Sequence, residues 1–190
     1  MDEVSRCQTG VSKLRIRGGS PLKGEVRIAG RKNAAVAAIP ASLLGKEPTL
    51  LENIPRIDDV HHYVSMLKEM GVDIDWYGPN ALRINPVSLE ATETPYTWSK
   101  RMRASYYLLG VLLARFGRAM VPLPGGCDIG QRPIDQHIKG FRALGANVHI
   151  EHGVIYAQAD RLRGARIYLD VVSVGATINL MLAASMAECV

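Results

Sequence analysis

The chain is poor in cysteine and aromatic residues and has no long apolar run. Its three cysteines, Cys7, Cys127 and Cys189, are odd in number and widely spaced, with no Cys-x-x-Cys pair. That argues against a disulfide framework and against a zinc site. Aromatic residues make up 6% of the sequence and form no RNA-binding pattern. The basic residues Arg15, Arg17, Lys100, Arg101, Arg103, Arg161, Arg163 and Arg166 are scattered rather than gathered in one stripe. A formal charge of +5 therefore suits anionic ligands in general, and no nucleic-acid partner is expected. The first six residues lack the apolar stretch of a signal peptide, and the longest apolar stretches, such as 34–44, are too short to span a bilayer. The reading is a cytoplasmic protein with no membrane partner.

What is present is an internal repeat. At 190 residues and 47% hydrophobic, the chain can bury one real core, with room for an incomplete second domain. Residues 34–44, 104–114 and 176–187 are apolar nearly all round, which predicts three buried helices in mutual contact. Gly45 and Gly117 are expected to end the first two, and the same spacing places Cys189 where a third helix-ending glycine belongs. Residues 58–70 and 134–144 are amphipathic and predict two helices exposed on one side. Gly71 and Gly145 end them, and each is followed by two short strand-like runs joined at Gly78-Pro79-Asn80 or His152-Gly153. Residues 49–52 and 118–121 supply a strand between the two helices of each unit, and 166–169 a strand leading into a third. The fold class is α/β, built from repeated β-α-β-α-β-β units around buried helices. The third unit is read as truncated, with residues 188–190 breaking register; the alternative is a natural short protein with a two-unit core.

The most informative segment is Pro124-Gly125-Gly126-Cys127-Asp128-Ile129-Gly130-Gln131-Arg132-Pro133. A lone thiol sits in a glycine-rich loop, and Pro133 suits the first position of the helix that follows. Free N–H groups at that helix start, beside Arg132, make an anion site. A cysteine in such surroundings can act as thiolate or acid. The other reading of the same features is a small, buried, inert cysteine.

Five segments then carry a resemblance: Gly30-Arg31-Lys32-Asn33-Ala34-Ala35, Arg101-Met102-Arg103-Ala104-Ser105, Pro124-Gly125-Gly126-Cys127, Arg132-Pro133-Ile134-Asp135-Gln136-His137 and Val172-Ser173-Val174-Gly175-Ala176-Thr177. In this order and spacing they resemble the UDP-N-acetylglucosamine 1-carboxyvinyltransferases, the enolpyruvyl transferases that open peptidoglycan precursor synthesis. The resemblance runs from about residue 14 to 188. It implies two lobes of three units each with a cleft between them, of which this chain holds most of the first. Residues 1–30 would be a tail and strands belonging to the second lobe. Residues 31–190 would be the first lobe, with units at about 31–100 and 101–171 and the start of a third at 172–190. The second lobe would be absent or supplied by another chain.

The reaction implied is transfer of enolpyruvyl from phosphoenolpyruvate to the 3′-hydroxyl of UDP-N-acetylglucosamine, with release of phosphate and no cofactor or metal. The resemblance makes Cys127 the catalytic proton donor. Lys32 would hold phosphoenolpyruvate, with Asn33 and Arg103 as substrate contacts and Arg132 as a phosphate contact. Arg132, Pro133, Ile134, Asp135 and Gln136 would hold the UDP-sugar together with Val172, Ser173 and Val174. Without the resemblance these residues read as solvated cations, helix caps and a polar helix face, His137 included. Three positions depart from the family: Val171 stands where some members have lysine, Arg31 where a small residue is common, and Cys189 where glycine is expected. The family's catalytic aspartate and an arginine that closes over phosphoenolpyruvate would lie in the second lobe. Enolpyruvylshikimate-phosphate synthase shares the fold but differs in its lysine motif and lacks the cysteine loop. A non-catalytic UDP-sugar-binding fragment is the alternative outside enzymes.

Overall fold

In a computed structural model of the chain, residues 15–19, 21, 23–123 and 134–188 are described. The repeat is visible as two copies of one arrangement. In the first, helix α1 (Lys32–Ser42) leads to strand β1 (Thr49–Leu51), helix α2 (Asp58–Glu69) and a hairpin of β2 (Asp73–Tyr77) and β3 (Ala81–Asn85). After a 3-10 turn at Pro86–Ser88 and a short helix α3 (Tyr96–Arg101), the second copy begins with a 3-10 turn at Arg103–Tyr106. It continues through α4 (Tyr107–Phe116), β4 (Arg118–Pro122), α5 (Asp135–Ala143) and the hairpin of β5 (Asn147–Glu151) and β6 (Val154–Gln158). Helix α6 (Val174–Ala184) repeats the opening once more.

Each copy closes an antiparallel sheet in which the last hairpin strand lies in the middle, in the orders β1-β3-β2 and β4-β6-β5. The pattern follows from alternation. In β3 the side chains of Leu82 and Ile84 are buried while Arg83 between them is exposed. α2 and α5 cover the hairpins with one apolar face, through Val60, Tyr63, Val64 and Leu67 in α2 and Phe141 in α5.

The strand expected at 166–169 is absent; residues 165–169 have no regular structure. Its place is taken earlier. Gly164 N–H donates to Glu188 O at 2.8 Å and Glu188 N–H to Leu162 O at 2.9 Å, a parallel bridge. The same bridge joins residues 92–94 to β4, where Thr94 N–H donates to Met120 O and Met120 N–H to Thr92 O. Glu188 thus makes a parallel bridge of the same kind as Met120, while Cys189 and Val190, where the sequence suggested that register breaks, lie outside the described residues. Residues 15–19 and 23–29 form no strand, and Ile16, Val26 and Ile28 are exposed.

Of the three apolar helices only α4 is enclosed all round: Tyr107 to Leu113 are buried without a break. It packs against both α1 and α6. Those two bury one side and expose the other, with Val174 and Met181 of α6 at 70% and 66% exposure. An apolar circumference thus overstates burial for α1 and α6, whose outer faces meet no other described element. The predicted helix at 104–114 also starts late, because residues 103–106 take the tighter 3-10 turn. α4 ends as expected at Gly117, whose φ of 68° is the left-handed conformation that accommodates glycine. Gly45 does not cap α1, which closes at Leu43. Arg115 fixes α4 against the first copy, donating from Nη1 to Leu43 O and to Pro86 O, both at 2.8 Å. Among the described residues, no helix is long and apolar enough to cross a membrane.

Candidate functional site

The openings of the repeated apolar helices converge. The first turn of α1, the turn at 101–107 and the first turn of α6 line one cavity of about 450 Å³. Lys32 is the first residue of α1, with no acidic residue in that turn. A lysine at the positive end of a helix is electrostatically the wrong choice for the helix itself, which favours a role toward an anion. Its Nζ pairs with Asp59 Oδ2 at 2.7 Å, Asp59 being in the first turn of α2. Asn33 follows Lys32 on the cavity wall.

Arg101 ends α3 and Arg103 begins the 3-10 turn. Between them Met102 is extended and buried, and both arginines line the cavity. Lys32, Arg101 and Arg103 face a single carboxylate, Asp59, among the described lining residues. Behind them Tyr107 has its phenol pushed up to about 12, first by burial and then by Tyr106, so it stays neutral. On the far wall Val174 and Gly175 open α6, capped by Ser173, whose Oγ accepts from Ala176 N–H at 3.2 Å.

A buried polar knot holds these walls together. Asn179, fully buried in α6, accepts from Gly110 N–H of α4 at 2.9 Å and donates to Tyr106 O at 2.8 Å. Its Nδ2 also lies 3.1 Å from His137 Nδ1 of α5. An amide donor there requires Nδ1 to be the acceptor, so His137 is neutral with its proton on Nε2. Burial pulls the His137 imidazole down to about 4, against the opposing effect of Asp135. His137 is thus no solvated polar residue of α5, as its helix position had suggested; it is 6% exposed and packs edge-on against Tyr106.

Acid should therefore loosen the knot. The unfolded chain takes up a proton on this histidine near its ordinary value of 6.5, whereas the folded chain resists until about 4. Folding stability contributed by His137 is complete above 6.5 and falls as pH drops toward 4. The full loss is about 3 kcal/mol. Urea midpoints at pH 7 and pH 4.5 should differ more in the parent chain than in His137→Gln; equal differences would remove His137 as the cause.

The remaining predicted residues fall in three groups. Cys127, Arg132 and Pro133 lie outside the described residues. Ile134 and Asp135 stand at the start of α5, away from the cavity lining. Gln136 is 5% exposed, and its amide is already engaged. It donates to Asp170 Oδ2 at 3.2 Å and accepts from Asp170 N–H at 2.9 Å. Gln136 thereby ties the start of α5 to the segment that runs through Val172, itself 98% exposed, to Ser173 and Val174. Lys32, Asn33, Arg103 and Val174 do meet at one cavity. Sequence reasoning did not single out Asp59, Tyr106 or Asn179. The signal for Asn179 was available, as the sole amide side chain in an apolar helix; Asp59 looked like an ordinary first-turn acid.

The architecture is that of the enolpyruvyl transferases. Among solved structures it aligns with the enolpyruvyl transferase NikO from Streptomyces tendae at a TM-score of 0.72 and 21% identity, covering 90% of this chain and 40% of that one. It aligns with EPSP synthase from Acinetobacter baumannii at 0.67 and 20% identity, covering 87% and 38%. Residues 16–189 match the profile of the EPSP synthase (3-phosphoshikimate 1-carboxyvinyltransferase) family, and the chain belongs to that family. Within it, the chain is similar to UDP-N-acetylglucosamine 1-carboxyvinyltransferase 3 of Caldanaerobacter subterraneus subsp. tengcongensis, 53% identical over 178 residues. It is also similar to UDP-N-acetylglucosamine 1-carboxyvinyltransferase 2 of Bacillus subtilis, 52% identical over 178 residues. Each alignment takes in 94% of this chain, which spans 42% and 41% of the length of these curated relatives.

Proposed function

We propose that the chain is the substrate-binding part of a UDP-N-acetylglucosamine enolpyruvyl transferase acting in the cytoplasm on peptidoglycan precursors, and so serving cell shape and division. The observation that carries this reading is the meeting of Lys32, Asn33, Arg103 and Val174 at one cationic cavity, in a chain about half identical to relatives bearing that name. Lys32 and Arg103 would take the phosphate and carboxylate of phosphoenolpyruvate, and the openings of α5 and α6 the UDP-sugar. Cys127 would supply the proton to C3 of phosphoenolpyruvate while the sugar hydroxyl attacks C2; loss of phosphate and of a C3 proton then completes the transfer. These roles need positioned cations and a proton donor. The hydroxyl's base would come from the rest of the enzyme, on this chain's continuation or on another chain.

Binding of phosphoenolpyruvate and UDP-N-acetylglucosamine together, measured by calorimetry on the 190-residue chain, tests the reading. Arg103→Ala should weaken it about tenfold, the loss of one charge-assisted contact. An unchanged affinity would remove Arg103, and the cavity with it, from substrate binding.

A further inference from the structure

The cavity holds one ion pair and two further cations. Lys32 Nζ and Asp59 Oδ2 are 2.7 Å apart, and both side chains remain about half exposed. Arg101 and Arg103 line the same cavity and form no ion pair among the described residues. Asp59 is not required to complement the positive end of α2, since Asp58 occupies the same turn. A solvated pair of this kind also adds little to folding. The pair's consequence is local: it crosses from α2 to α1 and holds the Lys32 ammonium against the cavity wall.

We propose that Asp59 is an internal counter-ion for Lys32, displaced by an incoming phosphate group, and that it sets the cavity's selectivity against small anions. The proposal rests on reading the cavity as an anionic-substrate site. An anion that meets only Lys32 must replace a carboxylate already at hydrogen-bond distance and gains little by the exchange. A ligand that also reaches Arg101 or Arg103 gains contacts that Asp59 does not supply. The exchange moves hydrogen bonds from one set of oxygens to another and changes no covalent bond. Without the Asp59 charge, Lys32 has no acidic partner among the described residues and lines the cavity with two arginines, so that any small anion is drawn in.

The test is titration of inorganic phosphate, at constant ionic strength, into the 190-residue chain, followed through the amide resonances of Lys32 and Asn33. Asp59→Asn should tighten phosphate binding about fivefold, the effect of removing a like charge a few ångströms away in a solvated site. Asp58→Asn removes the same charge one residue away and should change binding less than about twofold. Phosphoenolpyruvate, with two anionic groups, should gain by a smaller factor than phosphate from Asp59→Asn. Unchanged, weaker or undetectable phosphate binding in Asp59→Asn overturns the counter-ion, and so does an equal gain from Asp58→Asn. An equal or larger gain for phosphoenolpyruvate overturns the selectivity. Lys32→Met separates the two readings. If it abolishes phosphate binding while Asp59→Asn has no effect, only the counter-ion fails. If it leaves binding untouched, the cavity is not the anion site and both fall.

Discussion

Purified by itself, the 190-residue chain should release phosphate from phosphoenolpyruvate and UDP-N-acetylglucosamine at less than roughly 10⁻⁴ of the rate of a full-length relative. A positioned base typically contributes about 10²–10⁴-fold, and misplacing a reacting group costs roughly another 10²-fold. The resemblance to the enolpyruvyl transferases puts the base that activates the sugar hydroxyl, and the arginine that closes over phosphoenolpyruvate, beyond the part of the relatives that this chain matches. Among the described residues the cavity offers Lys32, Arg101 and Arg103, with Asp59 as the one carboxylate, and that carboxylate is held by Lys32. A coupled phosphate-release assay reads the result directly. Steady turnover near that of a full-length relative would mean that a base exists within these 190 residues.

Gly110→Ala should destabilise the chain by about 3 kcal/mol or more, the combined cost of overpacking and of a broken buried hydrogen bond. The sign is opposite to helix propensity, by which alanine in mid-helix gains about 1 kcal/mol over glycine. At Gly110 a Cβ would overlap both the backbone carbonyl and the side-chain oxygen of Asn179. The helices cannot separate without also breaking the Gly110 N–H to Asn179 bond and shifting Tyr106, whose carbonyl takes the other half of that amide. Tyr106 and Gly175 both line the candidate cavity, and the Tyr106 hydroxyl lies over Gly175. Urea unfolding of Gly110→Ala is the measurement; a stability equal to or above the parent's would show that α4 and α6 have slack at this crossing.

The sequence carried most of the repeat because the repeat is written in periodicity. Alternation in β2 and β3, the amphipathic face of α2 and the glycines after α2, α4 and α5 each have a local cause; α2 and α5 lie within one residue of expectation, whereas α4 starts three residues later than expected. Burial was less legible. Val174 and Met181 are as apolar as Leu180 and Leu182, yet two face outward and two inward, a difference set by which neighbours the described chain places beside α6. The leading strand was misplaced for a related reason: residues 166–169 have strand composition, but the backbone groups that pair with Glu188 belong to residues 162 and 164.

The candidate site divides along the same line. Lys32, Asn33, Arg103 and Val174 were found through motifs, and the turns that carry them converge as the repeat brings its helix openings together. Asp59, Tyr106 and the Asn179–His137 knot join residues far apart in the chain, and only packing reveals which of them meet. His137 shows the gap most clearly, since its position one turn into an amphipathic helix gave no sign that α6 would cover it.

The most direct measurement is amide chemical-shift mapping of UDP-N-acetylglucosamine binding to the ¹⁵N-labelled 190-residue chain. Shifts should concentrate at Lys32, Asn33 and Arg103, at Val174 and Gly175, and at the start of α5. Shifts confined to another surface, such as the sheet face around His149 and Tyr156, or none at millimolar ligand, would contradict the assignment of this cavity to the UDP-sugar.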